Sequence, residues 1–131
     1  MKKIYLLLLF GLFGIAVFTA CANSASPNAQ FNLPRDIVIP AGAKNVTVNY
    51  ADPNTTQVGY ISAANSVAVV ASYYQQTLAQ VGWQDNGTAD VISDEQATLV
   101  RVNPAGDTIT VNITQNDAEI AVGLIVIRAG N

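Results

Sequence analysis

The chain has 131 residues, six of them basic and nine acidic, with no histidine and one cysteine. Without histidine there is no Ser-His-Asp or Cys-His relay, and with Cys21 as the only thiol neither a multi-thiolate zinc site nor an internal disulfide can form. Beyond residue 20, four basic residues (Arg35, Lys44, Arg101, Arg128) stand against nine acidic ones, a net charge of −5, which argues against nucleic acid as a partner because that needs clustered Lys and Arg.

In chain order, Met1-Lys2-Lys3 gives a positive start, Ile4 to Phe18 carries no charge, and Thr19-Ala20 are small. From Ala22 the chain turns polar. This is the pattern of a secretory signal over residues 1–20. Phe18-Thr19-Ala20-Cys21 resembles the lipobox of bacterial lipoproteins, with Phe18 where that pattern has an aliphatic residue. The resemblance implies cleavage between Ala20 and Cys21. It also implies a diacylglyceryl group on Cys21 with an added fatty acyl chain such as palmitate. One acyl chain anchors a protein only marginally, at about 0.8 kcal/mol per buried CH2, whereas several anchor it stably. Ala22 stands where such lipoproteins carry Asp when kept at the inner membrane. The implied location is therefore the outer membrane of a Gram-negative cell, or otherwise the outer face of the cell membrane. Two other readings stay open. Ala20-Cys21-Ala22 has the small-x-small form cut by an ordinary signal peptidase, which would leave a soluble exported protein. Ile4 to Ala22 is 19 residues, close to the roughly 20 needed to span a bilayer.

Residues 21–33 read as a flexible tether of Asn, Ser, Ala, Gln and Pro, spanning roughly 20 Å. A single domain is expected over 34–131, about the size that supports one hydrophobic core. Pro34 and Pro40 favour an extended entry segment, and Pro40-Ala41-Gly42-Ala43 a turn. Val46 to Tyr50 alternates as a strand, Asp52-Pro53-Asn54 turns it, and Gln57 to Ile61 returns to close a hairpin. The spacing of Val67, Val70, Ala71, Tyr74, Leu78 and Val81 predicts one helix over about 66–82, capped by Ser66 or by Asn65 one residue earlier and ended by Gly82. Trp83 should pack the start of the next strand under the helix end. Asp85-Asn86-Gly87 suits a tight hairpin. Strands are expected at Val91-Ile92, at Ala97 to Val102, at Thr108 to Gln115 with Ile109, Val111 and Ile113 on one face, and at Glu119 to Arg128, apolar on both faces and so central or well covered. The fold class is α+β, in two layers: one helix on one face of an antiparallel sheet of four to six strands.

Pro40-Ala41-Gly42-Ala43, Val46, Tyr73-Tyr74, Leu78 and Gly82-Trp83 together resemble a small, largely uncharacterised module of bacterial lipoproteins and exported proteins. The resemblance covers about Leu33 to Arg128 and transfers no catalytic residue. The order of elements is also similar to the helix-grip domains of a lipoprotein subunit of the outer-membrane barrel-assembly machinery, a likeness of fold that carries no function.

No residue is expected to be catalytic, to bind metal or to hold a cofactor. Asp85, Asp90, Asp94 and Glu95 cluster with Asn86 and Gly87, but lack the alternating spacing of an EF-hand and read as solvated turns. Four Asn-x-Ser/Thr triplets, at Asn45, Asn54, Asn86 and Asn112, read as chance in an Asn- and Thr-rich chain. The residues expected to touch a ligand or partner are Tyr73, Tyr60 and Tyr50, with Tyr73 the most exposed. Two functions follow. One is a lipid-anchored envelope module without catalysis, bound to the membrane through Cys21 and to an envelope protein. The other is a small extracytoplasmic binding domain for a neutral ligand such as a glycan.

Overall fold

A computed structural model describes residues Pro27 to Gly130. The signal segment, Ala20, Cys21 and Ala22 lie outside the described residues. The elements are α1 (Pro27–Phe31), β1 (Lys44–Asp52), β2 (Thr55–Ser62), α2 (Val67–Gln80), β3 (Gln84–Asp85), β4 (Val91–Ile92), β5 (Gln96–Val102), β6 (Thr108–Asn116) and β7 (Glu119–Ile127). The fold is α+β, with one main helix and one antiparallel sheet. That sheet has seven strands among the described residues, more than the expected four to six.

The strand order is β1-β2-β7-β6-β5-β3, with β4 also paired to β5. The first hairpin is followed by α2, which carries the chain to the far edge. The chain then meanders back until β7 pairs with β2 in full register, from Thr55 opposite Ile127 to Ser62 opposite Ile120. This places β7 centrally, as its apolar character predicts. The alternation of β6 also holds, with Ile109, Val111 and Ile113 all buried. The Asn86-Gly87 pair makes no hairpin. Gln84–Asp85 and Val91–Ile92 both pair antiparallel with β5, so they are two pieces of one edge strand interrupted by residues 86–90. Asp85 accepts the Gly87 N–H (3.0 Å) and Asn86 accepts the Thr88 N–H (2.9 Å). Those side-chain turns loop the chain outward in place of a strand reversal.

Helix α2 starts where the Ser66 hydroxyl accepts the Val69 N–H at 3.2 Å. It ends where the Trp83 N–H reaches the Leu78 carbonyl (3.0 Å) and the Gly82 N–H the Ala79 carbonyl (3.4 Å), with Gly82 at φ +100°. This paired closure requires a left-handed residue, which is why glycine sits there. Val67, Val70, Ala71, Tyr74 and Leu78 are buried against the sheet. Val81 lies in the cap, turned away, and is 38% exposed, contrary to its expected place on the buried face.

The entry region departs most from expectation. Residues 27–33, read above as part of the tether, include α1, and Leu33 is buried in the core. The Asn28 side chain holds this start down by donating to the Pro34 (3.3 Å) and Ile37 carbonyls. Ile37 and Ile39 follow Leu33 into the core. The Trp83 indole N–H donates to the Asp36 carbonyl (2.7 Å), and the Tyr74 hydroxyl donates to the Val38 carbonyl (3.0 Å). Residues 33–40 therefore form a strap beside α2, antiparallel to it.

Replacing a wholly buried leucine leaves a cavity, whereas trimming a half-exposed valine does not. Leu78→Ala is expected to cost about 2–5 kcal/mol in urea unfolding, and Val81→Ala no more than about 0.5 kcal/mol. Comparable losses for the two would contradict this account of the helix face.

Candidate functional site

A small apolar cleft opens where the strap, the end of β2 and the first turns of α2 meet. It holds about 180 Å³ and is lined by Pro40, Tyr60, Ala64, Val69, Val70 and Tyr73, among others. Tyr73 is half-buried at its rim, and its ring packs edge-on against Tyr74 with centroids 5.1 Å apart. Tyr60 also reaches the cleft, but only 3% of it is exposed, so it forms the floor and presents little contact surface. Tyr50 is 60% exposed near the far end of the first hairpin and does not line the cleft. The structure thus joins two of the three tyrosines expected to make contacts and separates the third. Trp83 is 2% exposed and packs inward, which leaves the aromatics without a common surface.

Behind the cleft runs a short chain of hydroxyls. The Tyr74 hydroxyl gives its proton to the Val38 carbonyl, so Tyr60 must be the donor in the 2.6 Å contact between the two phenols. Burial pushes both phenols above their ordinary value near 10; Tyr60 raises Tyr74 further, whereas the bond to Tyr74 offsets part of the rise in Tyr60. They stay neutral in the folded protein and serve as fixed hydrogen-bond partners. Desolvation also raises Tyr73, which remains a neutral phenol able to donate at the rim.

Two charge clusters lie elsewhere, and both bind chain segments together. Arg128 makes two contacts with Asp36 (2.6 and 2.9 Å) and one with Asp107 (3.1 Å), with its guanidinium 6.0 Å from the Trp83 ring. Asp107 also accepts from the Asn103 amide (2.8 Å) and the Ala129 N–H (2.8 Å). The Asn103 bond, ahead of the Ala129 N–H and Arg128, holds its carboxyl below the usual range. At the other side Arg101 grips Asp90 with both nitrogens (2.6 and 2.8 Å), while Gln75 of α2 donates to the same carboxylate at 3.0 Å. Asp90 is thus drawn inward by the Arg101 bond, which also lowers its carboxyl. The acidic stretch that the sequence reads as solvated turns has this one member committed to an ion pair. No group of three or more His, Cys, Asp or Glu that could hold a metal ion occurs among the described residues.

The second face of the sheet carries Thr47, Asn49, Gln57, Thr98, Thr110, Asn112 and Thr114, with Ile61, Ile125 and Val100 between them. Gly59 and Gly123 pair directly, and a trough of about 350 Å³ runs between Thr47, Asn49, Gln57 and Ile125. A Cβ on Gly59 would lie 3.1 Å from the Thr47 hydroxyl oxygen, so this glycine makes room for its neighbour. The alternation in β6 marks this face as solvated, but the aligned glycines become visible only once β2 and β7 are known to pair.

No helix among the described residues is long and apolar enough to cross a membrane. No protein-family model matches the chain, and no curated protein matches it in sequence.

The neutral phenols set a pH dependence. Unfolded tyrosine ionises near pH 10, whereas Tyr60 and Tyr74 hold their protons longer when folded. Their contribution is therefore present below about pH 10 and is lost as pH rises beyond it. Melting temperature is expected to fall from about pH 10 upward, and less steeply in Tyr60→Phe, which should cost about 1 kcal/mol at neutral pH. Parallel alkaline profiles for the two proteins would refute this.

Proposed function

We propose that this is a lipid-anchored protein of the bacterial cell envelope, whose exported domain acts as a non-catalytic interaction or structural module. The observation that carries the reading is the sequence around Cys21: a charge-free stretch, then Phe18-Thr19-Ala20-Cys21, then polar residues. The architecture we infer is a two-layer one, with the sheet as one layer and α2 with the strap as the other. The first described element, α1, begins at Pro27, close in sequence to the proposed anchor. Residues 22–26 separate Cys21 from Pro27, and even fully extended they reach only about 20 Å. A lipid on Cys21 would thus hold the domain near the membrane surface, where its partners would be envelope proteins. A glycan-binding domain would call on exposed aromatics that share one surface. With Trp83 and Tyr60 buried and Tyr50 apart from Tyr73, that alternative has less support than the anchored module.

Intact mass of the protein taken from membranes, as wild type and as Cys21→Ser, tests the anchor. The expected result is a chain beginning at Cys21 with added acyl mass, and no acylated species in the variant. An unmodified chain beginning at Asn23 would replace the anchored reading with a soluble exported one.

A further inference from the structure

The two edges of the sheet are built differently. The β3/β4 edge consists of two-residue pieces separated by the 86–90 loop, with Asp85 and Asp90 beside it. Broken strands and nearby charge prevent another chain from pairing there. The opposite edge is β1, nine residues long and hydrogen-bonded on one side only. Among the described residues no backbone bond reaches its outer side. Its half-buried Val46 and Val48, together with exposed Tyr50, form an apolar row at this border.

The order of residues in β1 matches itself in reverse. An antiparallel copy centred on Val48 would put Val48 opposite Val48, Thr47 opposite Asn49, Val46 opposite Tyr50 and Lys44 opposite Asp52. Each pair joins like polarity or opposite charge, the combinations that stabilise cross-strand neighbours. The irregularities of the strand obey the same symmetry. Its register against β2 shifts once between Lys44 and Thr47, where Asn45 has φ +53°, and once between Tyr50 and Asp52, around Ala51. Asn45 and Ala51 are equally far from Val48, so the two bulges would face each other across the pair. Alone, bulges protect an edge; placed symmetrically, they admit one partner with the same bends. Both shifts also return Lys44 and Asp52 to the open face, through their partners Ile61 and Thr55.

We propose that β1 is a self-association edge, at which two copies of this chain pair about a two-fold axis through Val48 and join their sheets into one. The interface is isologous. Its regular ladder covers only Val46 to Tyr50, so the association is weak and suits copies held at high local concentration. The proposal stands whether or not Cys21 carries lipid.

Full-length chains bearing Thr47→Cys and Asn49→Cys test it by mild oxidation, singly and mixed, with the chain carrying Cys21 alone as baseline. Opposite residues in such a pair have Cα atoms about 4.5–5.5 Å apart, within disulfide reach. The mixture is expected to give several-fold more disulfide-linked dimer than either variant alone. Lys44→Glu should lower dimer yield about fivefold at low salt, and adding Asp52→Lys should restore it. Equal yields in mixed and single samples, no dimer at all, or a link to a different protein at position 47 would each overturn the proposal. Insensitivity to Lys44→Glu would overturn the Val48-centred register.

Discussion

The apolar side of this sheet is wider than one helix can cover. Six strands side by side span about 24 Å, whereas a helix with its side chains is about 10–12 Å across. Helix α2 rests chiefly on β4, β5 and β6, which leaves the β2 and β7 side needing another cover. The strap from Leu33 to Pro40 supplies it. Leu33, Ile37 and Ile39 contribute about 1.5–3 kcal/mol each by burial. The Asp36–Arg128 pair is partly exposed and is worth about 1 kcal/mol or less. Apolar burial therefore holds the strap, while the polar contacts from Trp83, Tyr74 and Arg128 fix its position along the helix.

The strap joins the fold to the cleft. Its far end at Pro40, with Gly42 just beyond it, meets Val69, Val70 and Tyr73 to form the cleft walls. The hydroxyl chain from Tyr60 through Tyr74 to Val38 ties the cleft floor to the strap backbone. The other sheet face lies on the far side from this assembly, and the β1 edge begins at Lys44, two residues beyond Gly42 in the cleft wall. The molecule therefore presents three different surfaces: an apolar cleft, a neutral Asn/Thr/Gln face and a self-matching edge.

Local pattern made much of this legible. Ser66 and Gly82 bracket α2 as capping chemistry requires, and the two-fold period of Ile109, Val111 and Ile113 marks both faces of β6. Pairing between distant segments was not legible, because neither β2 nor β7 names its neighbour in its own residues. Pro34 and Pro40 mark the strap as an extended segment, but its place in the core is hidden for a related reason. Residues 27–39 have no period, and Leu33, Ile37 and Ile39 become a core stripe only beside α2. Tyr60 read as a contact residue because exposure in a strand depends on what lies above it. Asn86-Gly87 read as a hairpin because turn chemistry is local, while the outward loop depends on Arg101 drawing in Asp90. Cys21 belongs to a third kind, a signal read in sequence that the described fold does not touch.

Native-state hydrogen exchange at the Leu33 and Ile37 amides tests most directly whether the strap is part of the core. These amides bond to the Asn28 (3.0 Å) and Pro34 (3.1 Å) carbonyls. If the strap closes the core, they should exchange only on global unfolding, within about 1 kcal/mol of Val111 in β6. Exchange at the rate of a frayed terminus while Val111 stays protected would show that helix and sheet hold together without the strap, and would contradict the account.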